Sequence, residues 1–499
     1  MNNLFNTLIE ISDSTDSLDK FLNENMQVVT EFYNSDYNHI VVYKDSIERF
    51  ILDKHHTIAK LDYTRSYTKS FVLMLLDYCE RFNFIAATPR ICSILNNNHI
   101  AINSRLQAAL LFLYPKPENN SELVDRFDAI CEKLQLAVET EEDDDSKVLA
   151  TFFNYYSIIV DIPVLYSEQV KTKLTNAINN NTYSFLEHSC IHEIVQLDLN
   201  DTENSYIQLQ CAIDKILNKK YYIVVPKEEI LIEEDSEYTK ELALVSADFD
   251  CIRNISVQKS DGKMETNRGV KILNSELELY AYLRRFGNMH KAKLQSAFES
   301  LPNNFSSKVN IIDWGCGQGI ASMIFIEKFG ANIINGVTLI EPSEIAIKRA
   351  SLHIKKYNPA ILIKTICKKL DDLTELNIEN SPADTTIHLF SNILDIDDYK
   401  QSYLINLIET TQTNLNYFVC ASPWINDQIK MEKIESFKRY FEKKYDSSFQ
   451  LLKEKTNSKV GVYWKCNNHN NFCYNHSQKA MNYCSGKWTR VIKVFSANL

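Results

Sequence analysis

The hydrophobic positions of this 499-residue chain change their spacing about halfway along its length. In the first half, apolar residues recur with helical spacing, most clearly in FVLMLLDYCERFNFI (71–85), SRLQAALLFLY (104–114) and SELVDRFDAICEKLQLAVET (121–140). This spacing predicts a mainly α-helical N-terminal domain over residues 1–259. The β-branched runs YYIVVP, ILIEE, LALVS and CIRNISV, all within residues 221–257, predict a few short strands near its end.

The second half alternates between strand-like and helix-like segments. Residues 260–274 are polar and contain two glycines, which predicts a linker, and residues 275–499 predict a second domain. Alternation at these lengths predicts a doubly wound, mostly parallel, seven-stranded α/β sheet with helices on both faces, and the last two strands are expected to pair antiparallel. The expected strands are 309–313, 337–340, 361–366, 385–390, 415–420, 459–465 and 489–495, and the expected helices are 275–301, 320–329, 343–356, 398–412 and 427–445.

The composition fits a folded protein outside the membrane. No apolar run reaches the roughly 20 residues that a membrane-spanning helix needs. The N-terminal sequence MNNLFNTLIEISDSTD has neither a basic flank nor a small-residue cleavage site, so a secretory signal is not expected. The twelve cysteines are scattered rather than arranged as a disulfide framework. Together these features predict a cytoplasmic protein with reduced thiols.

The charge is distributed unevenly between the two halves. Residues 1–260 carry 23 Lys and Arg against 41 Asp and Glu, a net charge of −18, whereas residues 261–499 carry 31 against 24, a net charge of +7. The basic half is suited to an anionic partner such as a nucleic acid, and the acidic half to protein partners. The alternative is that the opposite charges only help the two halves to dock.

The stretch DWGCGQG (313–319) places three glycines at every second position, in a chain that has only ten glycines. It follows the first strand of the predicted sheet and precedes a helix. Glycine allows a tight turn and a close approach of a ligand to the main chain, and the free amides at the start of the helix point to the same place. The pattern therefore predicts the floor of a nucleotide-binding site, with a turn that binds nothing as the alternative.

An acidic residue followed by x-G-x-G-x-G is also the first motif of the class I S-adenosylmethionine-dependent methyltransferases, and DWGCGQG matches it throughout. Residues 275–499 resemble that superfamily. The resemblance implies S-adenosylmethionine as the cofactor, with the acidic residue near its methionine end. The residues that it places against the cofactor at this turn are Asp313, Gly315, Cys316, Gly317 and Gly319.

The same resemblance assigns residues at the ends of the next two strands. In TLIEPS, Glu341 stands where the family has an acid that accepts both ribose hydroxyls; a solvated strand end is the alternative. In CKKLDDL, either Asp371 or Asp372 matches the position beside the adenine amino group, and Leu370 is a candidate wall for the ring. Either aspartate could instead cap a helix.

The fourth strand, in TTIHLFSNILDI, ends where the family has the reacting methyl group. Ser391 is expected beside the cofactor, and Asn392 and Asp395 are catalytic candidates by position only. The alternative for these polar groups is that they bind the main chain or the cofactor. The segment lacks the [DN]-P-P-[YF] signature of enzymes that methylate exocyclic amines of nucleobases.

Two further groups of residues are candidates for substrate contact. The helix at 275–301 carries Arg284, Arg285, His290, Lys291 and Lys293, which either border the substrate entrance or form an ordinary solvated face. The insertion at 466–488 combines aromatic and basic residues with a C-x2-H-x3-C-x2-H arrangement. A tetrahedral zinc site there is the minority hypothesis, against a polar loop with incidental thiols, and its ligands would be Cys466, His469, Cys473 and His476.

The sequence thus predicts S-adenosylmethionine-dependent methyl transfer by the second half of the chain, with a helical first half that docks the substrate. RNA or another nucleic acid is the favoured acceptor because the second half is basic. A small-molecule or protein methyltransferase is the first alternative. A non-catalytic, methyltransferase-like scaffold is the second.

Overall fold

The structure of the protein is a computed structural model that describes residues 4–140, 145–217, 236–262, 264, 271–378, 385–457 and 490–499. The chain packs into two compact units. The first consists of Met1–Lys220 together with Ile425–Glu432, and the second of Tyr221–Trp424 together with Lys433–Leu499. The predicted linker at 260–274 and the two helices before it belong to the second unit.

In the described part of the first unit, every regular element is helical. The predicted helices at 71–85 and 104–114 correspond to α5 and α7, whereas the one at 121–140 is divided at Arg126 into α8 and α9. The helices are α1 (Leu4–Ile11), α2 (Thr15–Tyr33), α3 (Tyr37–Val41), α4 (Lys44–Ile58), α5 (Ser66–Phe82), α6 (Thr88–Asn97), α7 (Ser104–Leu113), α8 (Asn120–Asp125), α9 (Phe127–Glu139), α10 (Asp145–Val160), α11 (Val164–Asn179), α12 (Ser189–Val195) and α13 (Thr202–Leu217).

A buried charged network joins three of these helices. Asp77 of α5, which is 1% exposed, accepts hydrogen bonds from Arg105 of α7 and, at 2.6 Å, from Arg81 of its own helix. Glu80 binds Arg105 at 3.2 Å and accepts from Asn154 of α10 at 2.7 Å. Buried charges persist only when they are paired in this way, so the network fixes how α5, α7 and α10 pack.

Two of the predicted strands are not strands: one is helical, and the other spans the end of a helix and the turn after it. LALVS (242–246) and CIRNISV (251–257) fall on α14 (Ser236–Ala243), the turn after it and α15 (Phe249–Lys259). The prediction of strands there is wrong because β-branched residues do not exclude a helix whose apolar positions recur at helical spacing, and Asp248 caps α15 by accepting from the amide of Cys251 at 3.0 Å. The predicted strands YYIVVP and ILIEE lie outside the described residues.

The second unit contains the predicted seven-stranded sheet. Its strands are β1 (Val309–Trp314), β2 (Ile334–Ile340), β3 (Leu362–Ile366), β4 (Thr385–Ser391), β5 (Leu415–Ser422), β6 (Gln450–Asn457) and β7 (Arg490–Asn498), in the order β3-β2-β1-β4-β5-β7-β6. The first five strands are parallel, and β7 runs antiparallel between β5 and β6. The order reverses beside β1, where β2 lies on one side and β4 on the other, so ligands are expected at the carboxyl end of β1.

The sixth strand differs from its prediction. β6 lies at Gln450–Asn457, and the segment predicted for it, 459–465, is outside the described residues, as is the Cys/His insertion at 466–488. β7 pairs antiparallel with β6 and also with β5. The sequence of β6, QLLKEKTN, does not have the pattern of a buried strand. It contains few apolar residues, and its charged residues lie on an exposed edge of the sheet.

Five further helices cover the two faces of the sheet or lie at its ends: α16 (Glu276–Phe298), α17 (Ile320–Phe329), α18 (Glu344–Tyr357), α19 (Gln401–Thr411) and α20 (Gln428–Lys444). The part of α20 that belongs to this unit begins at Lys433. Helices α16, α17 and α18 share one core with alternate strand residues such as Ile311 and Leu389. On the opposite face His388 and Phe418 stack with centroids 4.7 Å apart, and Phe441 of α20 packs on Phe418. Both faces of the sheet are therefore buried, as parallel sheets require.

Within the described residues, none of the helices is long and apolar enough to cross a bilayer. The cysteines in those ranges are all free thiols, and no three His, Cys, Asp or Glu side chains there are grouped to hold a metal ion. The minority zinc hypothesis concerns residues outside these ranges.

Candidate active site

The glycine turn between β1 and α17 has a left-handed main chain at all three glycines, with φ of 63° at Gly315, 52° at Gly317 and 77° at Gly319. A Cβ at Gly315 would lie 2.7 Å from Cδ1 of Ile393, and one at Gly319 would lie 3.1 Å from Cβ of Ala350, so packing requires both glycines. A Cβ at Gly317 would meet nothing within 4 Å. The middle glycine therefore opens onto space that a ligand can fill.

Hydrogen bonds join the turn to the end of the neighbouring strand β2. The amide of Cys316 donates to the carbonyl of Ile340 at 2.9 Å, and the amide of Gly317 donates to the Glu341 carboxylate at 3.0 Å. Burial holds the pKa of the Cys316 thiol well above its usual range, which disfavours a reactive thiolate.

Glu341 stands at the tip of β2 and faces the turn. Its second carboxylate oxygen accepts from the amide of Ser343 at 3.0 Å. Burial raises the pKa of Glu341 to about 7, although the amides of Ser343 and Gly317 lower it. Glu341 is thus half-buried and bonded to the glycine turn, and its contact with ribose hydroxyls stays a prediction.

Asp313 is buried below the turn. It is 1% exposed, and one carboxylate oxygen accepts from the hydroxyl of Ser322 at 2.7 Å and from its amide at 3.3 Å. Burial raises the pKa of Asp313 to about 7, against the lowering effect of the Ser322 hydrogen bonds. Asp313 thus ties β1 to α17, and its contact with the methionine end of a cofactor stays a prediction.

The two aspartates in the segment after β3 have different contacts. Leu370 is buried, and Asp371 accepts from the amide of Lys400, the residue before α19, at 2.8 Å. This contact ties the segment after β3 to the start of α19, and burial raises the pKa of the Asp371 carboxyl. Asp372 is exposed and remains the candidate for the adenine position, with Leu370 as the candidate wall.

At the end of β4 the structure brings together Ser391 and Asn392 with side chains of α16. His290 Nδ1 lies 3.1 Å from the Ser391 hydroxyl, and His290 Nε2 lies 3.0 Å from both the Asn392 amide nitrogen and the Tyr282 hydroxyl. Lys293 donates to the Asn392 amide oxygen. Asn392 itself has a left-handed main chain, with φ of 60°, which is uncommon for a residue other than glycine and is enriched at functional sites.

The donors in this cluster can be assigned from its chemistry. An ammonium group only donates, so the oxygen of the Asn392 amide faces Lys293 and its nitrogen faces His290. His290 Nε2 therefore accepts, and the ring proton is on Nδ1, from which it is donated to Ser391. Burial, with Lys293 nearby, holds the pKa of His290 well below its usual range, in keeping with a neutral ring.

The basic residues of α16 thus serve two different purposes. Arg284 and Arg285 donate to main-chain carbonyls at residues 257–264, and Lys291 pairs with Asp250 at 2.7 Å. His290 and Lys293 are buried at the end of β4 instead. The signal in the sequence was the helical spacing: His290 lies on the apolar stripe formed by Leu283, Gly287, Leu294 and Ala297, where a solvated side chain is not expected.

Asp395, the second catalytic candidate, is 5% exposed and accepts from the Ser422 hydroxyl at 2.7 Å, so it ties the loop after β4 to the end of β5. The link between the β4 end and the glycine turn is Ile393, whose side chain fills the position of a Cβ at Gly315. The turn, Glu341 and the Ser391–Asn392 cluster therefore lie along one edge of the sheet. Asp371 and Asp395 act as supports of its loops.

No protein-family model matches the chain, and no curated protein matches its sequence. Some solved structures that are similar to it carry methyltransferase descriptions. One is a putative class I S-adenosylmethionine-dependent methyltransferase from Listeria monocytogenes, with 10% identity, a TM-score of 0.29, and coverage of 76% of this chain and 89% of that chain.

Two others are described as a putative RNA methyltransferase and a ribosomal protein methylase. A putative RNA methyltransferase from Pyrococcus horikoshii has 12% identity and a TM-score of 0.28, over 53% of this chain and 100% of that chain. A ribosomal protein L11 methylase from Lactobacillus delbrueckii subsp. bulgaricus has 14% identity and a TM-score of 0.24, over 42% of this chain and 80% of that chain. Similarity at this level does not assign a reaction, which has to follow from the geometry of the site.

Proposed function

We propose that the second unit is an S-adenosylmethionine-dependent methyltransferase. The observation that carries this proposal is the open face of Gly317 beside the half-buried carboxylate of Glu341. Open main chain allows the close approach of a flat nucleoside, and a carboxylate at the neighbouring strand tip can accept from two adjacent ribose hydroxyls. A tight turn that bound nothing would have no need of either feature.

In this proposal the cofactor lies along the carboxyl ends of β1, β2 and β3. The glycine turn faces its methionine and ribose portions, Glu341 accepts from the ribose, and Leu370 and Asp372 border the adenine. Asp313 lies beneath the turn, where its charge favours the cationic end of the ligand. When bound, S-adenosylmethionine supplies an electrophilic methyl group, so the protein has mainly to position the acceptor atom and exclude water.

The Ser391–Asn392 cluster is the proposed place of the acceptor. Its supporting observations are the constrained main chain of Asn392 and the two side chains of α16 that fix the orientation of its amide. A fixed amide presents its polar groups in one arrangement, which favours an in-line approach by one acceptor. Asn392 is the proposed contact, and Asp395 acts by holding the loop.

RNA is the proposed acceptor class because the catalytic half carries the excess of basic residues. Binding that depends on phosphate contacts weakens steeply with salt, since each neutralised phosphate releases counterions. We expect the affinity for RNA to fall by at least tenfold between 50 and 200 mM salt, on the order of what several phosphate contacts produce. Salt-independent uptake of methyl groups by a small molecule or a protein would assign the acceptor to that class instead.

Isothermal titration calorimetry with S-adenosylmethionine and with S-adenosylhomocysteine tests the proposed cofactor directly. We expect one site per chain for both ligands. Incubation with methyl-labelled cofactor and fractionated cell extract then asks which fraction takes up label. Binding without any labelled fraction would favour a scaffold that has kept its pocket, and absence of binding would overturn the proposed enzyme.

A further inference from the structure

A buried chain of hydrogen bonds connects α14 to the glycine turn. The hydroxyl of Tyr238 lies 2.6 Å from His353 Nε2, and His353 Nδ1 lies 2.9 Å from the main-chain carbonyl of Gln318. Tyr238 and Gln318 are each 2% exposed, and His353 is fully buried. The three residues belong to α14, α18 and the turn, and Gln318 lies between Gly317 and Gly319.

The direction of each hydrogen bond in this chain can be assigned. The carbonyl of Gln318 can only accept, so His353 Nδ1 carries a proton. Burial lowers the pKa of His353 to about 3, which keeps the ring neutral and leaves Nε2 without a proton. Nε2 therefore accepts from the Tyr238 hydroxyl. Removing that hydroxyl would leave a buried acceptor without its donor, and removing the ring would do the same to the carbonyl of the turn.

Gln318 is also held through its side chain, whose amide nitrogen donates to the carbonyl of Leu279 in α16 at 2.9 Å. Its neighbours in the turn are glycines, which have many accessible main-chain conformations and lose the most entropy when they are fixed. The shape of the turn therefore depends on how firmly Gln318 is anchored, because the glycines on either side supply no side-chain contacts of their own.

The Tyr238 ring is fixed in turn by Arg349 of α18. The guanidinium lies 3.9 Å from the centroid of Tyr238 and 4.5 Å from that of Tyr280, and Arg349 is 3% exposed. Stacking of this kind holds an aromatic ring in one orientation. A helix that precedes the predicted linker is thus an integral part of the support behind the glycine turn.

We propose that Tyr238 and His353 are positioning residues for the cofactor: they hold the carbonyl of Gln318 and so preorganise the glycine turn without touching the ligand. The inference rests on the proposed function, because it concerns the same turn. The turn is then expected to be ordered already without ligand. Weakening the hydrogen bonds through Tyr238 and His353 should raise the Kd of the ligand, because part of the binding energy must then order the turn.

The test compares Tyr238→Phe with Tyr280→Phe, which removes a hydroxyl from the other ring that contacts Arg349. We expect Tyr238→Phe to raise the Kd for S-adenosylhomocysteine by roughly tenfold, the effect of one buried acceptor that loses its donor. Tyr280→Phe should remain within twofold. Amide hydrogen exchange at residues 315–321 of the unliganded protein should become faster only in Tyr238→Phe.

A second pair of variants, at His353, tests the same proposal without relying on the substitution at Tyr238. His353→Leu deletes the donor to Gln318, whereas His353→Asn retains an amide nitrogen at the branch where the imidazole has Nδ1. We expect His353→Asn to bind S-adenosylhomocysteine more tightly than His353→Leu, and we expect the two variants to have the same thermal stability. If the wild type binds and all four variants bind equally, the positioning role is overturned while the proposed function stands. If the wild type itself does not bind, both are overturned.

Discussion

The main-chain amide of Gly317 lies 3.0 Å from the carboxylate of Glu341, although 24 positions separate the two residues. This contact brings the glycine turn and the acid of the neighbouring strand into one site. Replacing Glu341 by Ala removes the acceptor for the ligand and also the anchor of the Gly317 amide. We expect the Kd for S-adenosylmethionine to rise by at least thirtyfold in calorimetry, on the order of two lost charge-assisted hydrogen bonds.

The matched control for that variant is Glu344→Ala. Glu344 lies three positions further on, in the first turn of α18, and forms a surface pair with Lys348 at 3.0 Å. Exposed pairs contribute little, so both stability and cofactor affinity should be close to those of the wild type. Equal affinities for Glu341→Ala and Glu344→Ala would show that Glu341 only supports the turn.

Gly317→Ala separates a ligand effect from a main-chain effect. Gly317 and Gly330 both have positive φ, 52° and 87°, and a Cβ at either one meets nothing within 4 Å. Alanine at Gly317 costs about 1 kcal/mol of stability, so Tm should decrease slightly. Gly330→Ala should lower Tm more, because its ψ of 146° places Gly330 in a region that is nearly exclusive to glycine. Only Gly317→Ala should lose cofactor binding, because its methyl group occupies the space where the ligand approaches.

Calorimetry and thermal unfolding of the two glycine variants check this prediction together. If both Gly317→Ala and Gly330→Ala lost cofactor binding, main-chain strain at either end of α17 would be enough to disturb the site. If both variants still bound the cofactor, the ligand would not occupy the space over Gly317.

The sheet and the glycine turn could be predicted from the sequence because both depend on local patterns. Parallel strands that are buried on both faces are mostly apolar, and DWGCGQG marks one turn. β6 was not predicted because an exposed edge strand needs few apolar residues. Residues 242–246, at the end of α14, and residues 251–257, in α15, were predicted to be strands because Ile and Val favour strands locally, and tertiary packing overrode that preference.

The sequence brings some residues of the candidate site together and leaves the contacts of others open. Gly317 and Glu341 follow their strands directly, so the topology alone brings them together. For His290 and Lys293 the sequence left two alternatives, the substrate entrance or a solvated face, and it did not single out Tyr238. The partners of all three lie about 100 positions away in the chain, so their buried contacts follow only from the packing of α14 and α16 against the sheet.

The affinity for S-adenosylmethionine should depend on pH around neutrality. Burial raises the pKa values of both Asp313 and Glu341 to about 7 in the free protein. A cationic ligand and hydroxyl donors favour the ionised carboxylates, so binding releases protons, and the Kd should fall as the pH rises from 6 to 8. The slope should approach one order of magnitude per pH unit for each group that must lose its proton.

Calorimetry in buffers of different ionisation enthalpy measures the number of protons released. Glu341→Gln, which cannot ionise at this position, should reduce the pH dependence to the part that Asp313 contributes, whereas Glu344→Gln should leave it unchanged. A Kd that is constant between pH 6 and 8 in the wild type would contradict the coupling of these carboxylates to the ligand.

The buried network around Asp77 predicts a large effect on the first unit. Burial alone would raise the pKa of Asp77, but Arg105 and Arg81 outweigh it and hold the pKa below its usual range. Asp77→Asn removes the buried carboxylate that Arg105 and Arg81 share and leaves Glu80 as the remaining carboxylate at Arg105. The uncompensated positive charge should lower the free energy of unfolding by about 3–5 kcal/mol in urea denaturation. Asp53→Asn, which breaks an exposed pair with Arg49, should change it by at most about 0.5 kcal/mol. Similar effects of both variants would contradict a stabilising role for the network.

A substitution at Lys293 should separate an effect on the acceptor from an effect on cofactor binding. It is fully buried and donates to the Asn392 amide oxygen, so Lys293→Met keeps the apolar length of the side chain but releases that amide from its fixed orientation. We expect the transfer of labelled methyl to RNA to slow by at least tenfold, on the order of what misplacement of a reacting group costs, with cofactor Kd within threefold of the wild type. Lys291→Met, on the same helix but paired at the surface with Asp250, should change neither quantity. If Lys293→Met weakened cofactor binding as much as it slowed methyl transfer, the Ser391–Asn392 cluster would have to be assigned to the cofactor site. A residue that orients only the acceptor cannot alter binding of the methyl donor.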